Sequence, residues 1–218
     1  MSRPQLAFRR FAHAFLQLVL SLLTKFEIHG RANIPPHGPL IVVFNHLAHA
    51  DAFVMIAAMP YPVEPVGLVD LLSVPVTGQV LRAYGIIPVH RDQVDRRVIQ
   101  HALTVLQTGG VLLLAPEARR SVTGALERAR AGAAYLAMRS GTPVLPVAIT
   151  GTEKILDDLK RLRRPHLTAT FGTPFTLSQH EESSRPRRER RREAADEIMI
   201  RIARMLPPEY RGVYRERV

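Results

Sequence analysis

The chain has 218 residues, of which 46% are hydrophobic and 6% aromatic; that is enough for one domain with a sizeable core, and it excludes a disordered chain. There is no cysteine, which excludes disulfides, a thiolate nucleophile and any cysteine-based zinc site, leaving His, carboxylates, Ser, Thr, Lys and Tyr for chemistry. The formal charge of +11 rests almost wholly on arginine, Lys25, Lys154 and Lys160 being the only lysines, and a basic chain favours an anionic partner: nucleic acid, an acidic membrane surface, an acidic carrier protein or a phosphorylated substrate.

Residues 1–30 read MSRPQLAFRRFAHAFLQLVLSLLTKFEIHG. No small-residue cleavage site follows the apolar stretch, so a secretory signal is not expected. The uncharged run 11–24 falls short of the ~20 apolar residues of a membrane span. Phe8, Phe11, Phe15, Leu18 and Leu22 recur at three- and four-residue steps, which predicts an amphipathic helix with Arg9 and Arg10 near its start. Such a helix lies in a membrane interface with its arginines on anionic headgroups, or it packs on the core. Leu16, Val19, Leu20 and Leu23 broaden its apolar face and suit either arrangement.

FEIHG (26–30) is a short strand ending in a glycine turn, and PLIVVF (39–44) is a fully buried one. A helix follows over 50–59, stopped by Pro60. PVEPVGLV (62–69) is a weaker strand, VTGQVLRAY (76–84) a short helix and GIIPV (85–89) a strand. DQVDRRVIQHALTVLQTG (92–109) is a helix that Asp92 can cap, with Val94, Val98, Ala102, Val105 and Leu106 on one face and Gly109 at its end. GVLLLA (110–115) is buried strand, 127–141 helix, PVLPVAI (143–149) strand and LTATFG (167–172) the last strand. The run 185–192 is a solvated charged segment leading into a helix that docks through Ile198, Ile202 and Leu206. Alternating strands and helices predict an α/β fold, a mostly parallel or mixed sheet covered by helices on both faces. The division is an N-terminal amphipathic helix over 1–25 and one α/β domain over 26–218. In such folds the site lies in loops at strand ends. Four loops put polar residues there: Asn45-His46, His90-Arg91, 116–121 and Thr150-Gly151.

LIVVFNHLAHADAF (40–53) carries the chemistry. On one continuous helix, His46 and Asp51 would sit ~140° apart and not meet. With His46 in the turn after a strand and Asp51 in the first helical turn, the carboxylate can hold one imidazole nitrogen as N–H and leave the other to accept a proton. That is a general base with its orienting partner. His46, His49 and Asp51 make a poor metal set without a further ligand, so no metal is expected.

NHLAHAD (45–51) resembles the N-H-x-x-x-x-D signature of the glycerolipid acyltransferases, the lysophosphatidic acid acyltransferase family. Three more blocks follow in that family's order: YGIIPVHR (84–91), LLLAPEARRS (112–121), similar to F-P-E-G-T-R-S, and GTPVLPVAITGT (141–152). FEIHGRANIPPHGPLIVVFNH (26–46) also resembles the run-in to the histidine. The resemblance spans roughly residues 26–152. It implies transfer of an acyl group from acyl-CoA or acyl carrier protein to the hydroxyl of lysophosphatidic acid, at the cytoplasmic face of an anionic membrane, by a peripheral or monotopic protein. His46 would take the hydroxyl proton and Asp51 would orient it. The thiolate leaves readily, so no cofactor and no covalent enzyme intermediate is needed. A backbone N–H near the His46 turn would hold the oxyanion.

Arg91 and Arg120 match the arginines of the second and third blocks and would meet the acceptor's phosphate, which suits the planar guanidinium. Asn45, Glu117, Arg119, Ser121 and Arg130 complete the expected substrate-binding set, Glu117 by holding an arginine or the glycerol hydroxyls. The chain departs from the pattern at Ala118-Arg119, where the family has Gly-Thr. If that glycine needs positive φ, Ala118 is strained; if it only gives room, alanine narrows the acceptor pocket. A different lysophospholipid or a lipid alcohol is therefore an alternative acceptor. A basic binding module without catalysis is the reading from another class, but no nucleic-acid motif, aromatic stacking set or tryptophan supports a nucleic-acid partner. KRLRRPH (160–166) is a basic surface for donor or membrane.

Overall fold

Five apolar residues in a row form the middle strand of the sheet. Leu40–Phe44 (β2) is buried along its whole length, as a strand covered on both faces must be. The structure is a computed structural model and describes residues 3–90, 95–177 and 186–218. Six further strands join β2: β1 (Lys25–His29), β3 (Glu64–Leu68), β4 (Ile87–Val89), β5 (Val111–Leu114), β6 (Val144–Thr150) and β7 (His166–Phe171). Their order is β1-β7-β6-β2-β5-β3-β4. Neighbours run parallel except β6 and β7, so the sheet is mixed.

Alternation along the strands feeds two cores. Ile41, Val43, Leu112 and Leu114 pack with α4 (Arg96–Gln107), α5 (Gly132–Ser140) and α7 (Arg187–Met205). Leu40, Val42, Phe44 and Leu113 face α2 (Asp51–Ala58) and the inner side of α1 (Arg3–Leu23). Ile198, Ile202 and Leu206 are buried, as the spacing predicts. Arg191 and Arg201 lie over the rings of Tyr135 and Phe175, so the charged helix is held by its arginines as well as by its apolar face.

Some boundaries differ from expectation. Asp95 caps α4, its side chain accepting the Arg97 N–H at 2.8 Å; Asp92 and Val94 lie outside the described residues. The helix expected over 127–141 begins only at Gly132, because Glu127 and Arg130 give their N–H groups to Glu117 and Pro116 instead. Two short helices flank the weaker connections: α3 (Thr77–Tyr84) as expected, and α6 (Ile155–Lys160), which the pattern did not suggest.

Helix α1 both docks and stays open. Phe8, Ala12 and Leu16 pack on the core, while Phe11, Phe15, Leu18 and Leu22 face outward, Phe11 66% and Leu22 64% exposed. His13 and Gln17 hydrogen-bond the Ile56 and Ala57 carbonyls at 3.0 and 3.1 Å; these belong to the last turn of α2, where carbonyls lack helical partners. Arg9 corrects the expectation that it meets headgroups. It is buried, paired through both terminal nitrogens with Glu64 at 2.5 Å, donates to the Tyr84 carbonyl at 2.7 Å and lies over the Tyr84 ring.

Removing one partner of a buried pair strands the other charge. Arg9→Met is expected to lower stability by about 3 kcal/mol, the low end for a broken buried pair, in urea denaturation. A loss of less than ~1 kcal/mol would mean that the pair behaves as a surface bridge.

Candidate active site

The chain turns from β2 into α2 through residues 45–50. Leu47 and Ala48 give their backbone N–H groups to Asp51 Oδ2, at 2.6 and 2.8 Å. The same oxygen lies 2.8 Å from His46 Nδ1. The spacing of five thus closes over a turn: Asp51 opens α2 and reaches back. It is fully buried, and the helix N-terminus favours its negative charge. A carboxylate only accepts, so Nδ1 carries the hydrogen and Nε2 is left to take a proton. The His46 side chain is 23% exposed and stands edge-on to the Phe44 ring.

Two other blocks fix the backbone of this turn. The His46 N–H donates to Glu117 Oε1 at 2.9 Å, and the His46 carbonyl accepts from the Ser121 N–H at 2.8 Å. Glu117 Oε2 accepts the Glu127 N–H at 2.8 Å. Burial pushes the Glu117 carboxyl up to about 7, against the opposite pull of the Glu127 and His46 N–H groups. Asn45, also fully buried, donates to the Ile149 carbonyl at 2.9 Å and accepts the Ile149 N–H at 2.7 Å, stapling the end of β2 to β6.

Several expectations are corrected here. Asn45 does not face a substrate, because both ends of its amide are used within the sheet. Glu117 holds two backbone N–H groups rather than an arginine or glycerol. The N–H groups of His46, Leu47 and Ala48 are all engaged by carboxylates, so none of them is the expected oxyanion donor. Ser121 Oγ donates to the Ala125 carbonyl and accepts the Ala125 N–H; it shapes the loop.

The arginines divide. Arg119 is tied to Glu127 at 2.5 Å. Arg120 is exposed and close enough to His49 to help lower that ring's pKa, second to burial. Arg130 is exposed, and its backbone N–H donates to the Pro116 carbonyl. Arg91 lies outside the described residues. Among the described residues, no three His, Asp or Glu side chains gather as metal ligands. Glu127 was not among the candidates. It links Arg119, the Val122 N–H and Glu117, and its ten-residue separation from Glu117 follows no local period.

Comparisons with known proteins bear on the family and the fold. A family model described as Acyltransferase matches residues 25–150. The chain belongs to this acyltransferase family. It is 27% identical over 157 residues to a chloroplastic 1-acyl-sn-glycerol-3-phosphate acyltransferase of Brassica napus, covering 68% of this chain and 45% of that one. It is 28% identical over 130 residues to the 1-acyl-sn-glycerol-3-phosphate acyltransferase of Borreliella burgdorferi, covering 59% and 52%. The chain spans about half the length of the curated relatives it matches. The crystal structure of the 1-acyl-sn-glycerophosphate acyltransferase PlsC of Thermotoga maritima superposes with a TM-score of 0.66 at 22% identity, covering 87% of this chain and 76% of that one. The fold is shared.

Ala118 has φ 55°, so the departure from the family's glycine places a side chain in left-handed backbone. Ala118→Gly is expected to stabilise by roughly 0.5–1 kcal/mol, the relief of that conformation less the added freedom of the unfolded chain. Calorimetry should show Tm rising by about 2 °C; a fall would place the cost elsewhere.

Glu117→Gln sets an amide N–H2 against one of two N–H donors. It should cost about 1–3 kcal/mol and slow turnover about ten- to a hundredfold through the misplaced turn. The folded carboxyl titrates above its ordinary 4.5, so its stabilisation is fully present below that pH and is lost as pH rises through about 7. The stability difference between wild type and Glu117→Gln should therefore shrink between pH 4.5 and 7.5. A constant difference would place Glu117 at its ordinary pKa.

Proposed function

We propose that the chain transfers an acyl group from an acyl-CoA or acyl carrier protein thioester to the free hydroxyl of lysophosphatidic acid, giving phosphatidic acid. The observation that carries this reading is the His46–Asp51 hydrogen bond at the end of β2. Nε2 of His46 takes the acceptor's hydroxyl proton as the oxygen attacks the thioester carbonyl. The C–S bond breaks, and the thiolate leaves with the proton from His46. Asp51 supplies the counter-charge while the ring is imidazolium. No cofactor enters this scheme.

The acceptor's phosphate is assigned to Arg120 rather than Arg119, because Arg119 is committed to Glu127 while Arg120 is exposed beside His49. Arg130 and Arg91 remain proposed members of the same cluster. The Brassica napus and Borreliella burgdorferi relatives are named for this acceptor. A second reading, a different lysophospholipid or a lipid alcohol, is favoured by one observation: Ala118 stands where the family has glycine.

Membrane association is part of the proposal. Among the described residues, α1 is the one helix long and apolar enough to cross a bilayer. Its docking through Arg9, His13 and Gln17 suits it to lie in the interface, with Phe11, Phe15, Leu18 and Leu22 toward lipid. The thioester donors place the reaction at the cytoplasmic face.

A labelled thioester, on CoA or carrier protein, offered with lysophosphatidic acid, lysophosphatidylcholine, glycerol 3-phosphate or a neutral lipid alcohol tests the reading. Product on lysophosphatidic acid should fall about 10³-fold or more in His46→Ala, the scale of a lost general base, and less in Asp51→Asn. Arg120→Ala should raise KM for the phosphate acceptor about tenfold and leave the neutral alcohol unaffected. Wild-type rates in folded His46→Ala would sink the base assignment; product only on another acceptor would favour the second reading.

A further inference from the structure

The segment between α6 and β7 reads K-R-L-R-R over 160–164. It carries four cations and no acid. Lys160, Arg161 and Arg163 are exposed, and between them Leu162 is 97% exposed with φ 55°. A leucine in left-handed backbone, where glycine or asparagine is the usual occupant, is held out to solvent at the tip of a basic loop. Leu156, on α6, is exposed as well.

The loop is not free to wander. Arg164 donates to the Ser21 and Thr24 carbonyls at 2.5 Å, and the Lys25 N–H donates to the Pro165 carbonyl at 2.8 Å. The loop is thereby fastened to the last turn of α1, where the outward apolar stripe finishes in Leu22 and Leu23. The sheet gives this place its meaning. β6 runs parallel to β2 and β7 antiparallel to β6, with Thr150 opposite Thr168. The start of β7 and the end of α1 therefore lie at the end of the sheet where β2 delivers His46.

We propose that loop 160–164 is a second membrane contact, selective for anionic lipid: Leu162 enters the acyl boundary beside the last turn of α1, and Lys160, Arg161 and Arg163 pair with anionic headgroups. The domain then stands with its His46 end on the bilayer, where a lipid acceptor arrives. This rests on the interface reading of α1. An acidic donor protein would also meet the charges, but it gives no reason for an uncovered leucine continuous with the α1 stripe.

The test is co-sedimentation of the full chain with vesicles of phosphatidylcholine alone and of phosphatidylcholine mixed equally with phosphatidylglycerol. Three variants are compared: Lys160→Gln/Arg161→Gln/Arg163→Gln, Leu162→Ser, and Phe11→Ser/Phe15→Ser. Turnover on a short-chain, water-soluble acceptor serves as the folding control. Each neutralised charge near an anionic surface weakens binding about fivefold, so the triple variant should lose on the order of a hundredfold on the mixed vesicles and little on the neutral ones. Leu162→Ser should lose about tenfold on both.

Loop variants that bind both vesicles like wild type, while the α1 variant does not, would overturn the proposal and leave the interface reading standing. Wild type that binds neither vesicle would overturn both. A triple variant with unchanged vesicle binding but a raised KM for the carrier-protein donor would assign the loop to the donor and overturn the lipid contact.

Discussion

One oxygen holds the site together. Asp51 Oδ2 accepts from two backbone N–H groups and from His46, while Asp51 Oδ1 is buried without a hydrogen-bond partner in the described structure. A buried carboxylate so unevenly served needs positive charge nearby. The ground state offers donors only. In the proposed reaction His46 takes a proton, and the imidazolium becomes the missing counter-charge. On that reading the pair is stabilised more in the transition state than before it, and only such a difference speeds the chemical step. The tight turn over 45–50 and the His46–Asp51 pairing are thus one device. The two N–H groups that keep Asp51 folded back are also what aim it at the ring.

The sheet order explains why distant sequence blocks converge on that turn. β6, β2 and β5 are neighbours and run parallel, so the loops that follow them open at one end. Asn45 links the first block to the fourth, and Glu117 and Ser121 link it to the third. β4, the strand of the second block, lies three places from β2, roughly 14 Å at the usual strand spacing. Asn45 is therefore held from one side and the backbone of His46 from the other, with the ring free of both grips. Residues that look as though they should touch substrate are instead the grip.

The strands were readable because burial on both faces demands unbroken apolar runs, and β2, β5 and β6 carry them. The pairing of His46 with Asp51 was readable because it closes within a single turn. The roles of Asn45 and Glu117 were not. Each contacts backbone on another strand or loop, and a backbone N–H leaves no trace in residue identity. The start of α5 was misplaced for the same reason, since residues 127–131 have helical composition, but Glu127 and Arg130 spend their N–H groups on the third block and Ala129 on the Tyr214 hydroxyl. Helix α1 was half readable. Its apolar period is real, yet from Phe11 onward the stripe it marks faces outward. The docked face joins Phe8, Ala12 and Leu16 to Arg9, His13 and Gln17, polar residues that pattern reading assigns to solvent.

The third block also leans on chain outside the stretch that matches the family. Leu126 donates to the Tyr210 carbonyl and accepts the Val213 N–H, and the Ala129 N–H donates to the Tyr214 hydroxyl, which itself donates to Asp196 on α7. Tyr214 is fully buried and its pKa is pushed up to about 12, chiefly by burial, so the hydroxyl stays a donor. These bonds hold 125–130, the segment whose Glu127 N–H completes the seat of Glu117. A path of hydrogen bonds, closed by the Glu117 carboxyl, thus runs from the 208–217 segment through Leu126 and Glu127 to the His46 amide. At the other side α1 caps the last carbonyls of α2, the helix that Asp51 begins. The matched core contributes the proposed reacting groups, while the flanking segments on both sides of it hydrogen-bond the segments that seat them. A side chain that must present one nitrogen to solvent at a fixed angle needs that rigidity more than it needs further contacts of its own.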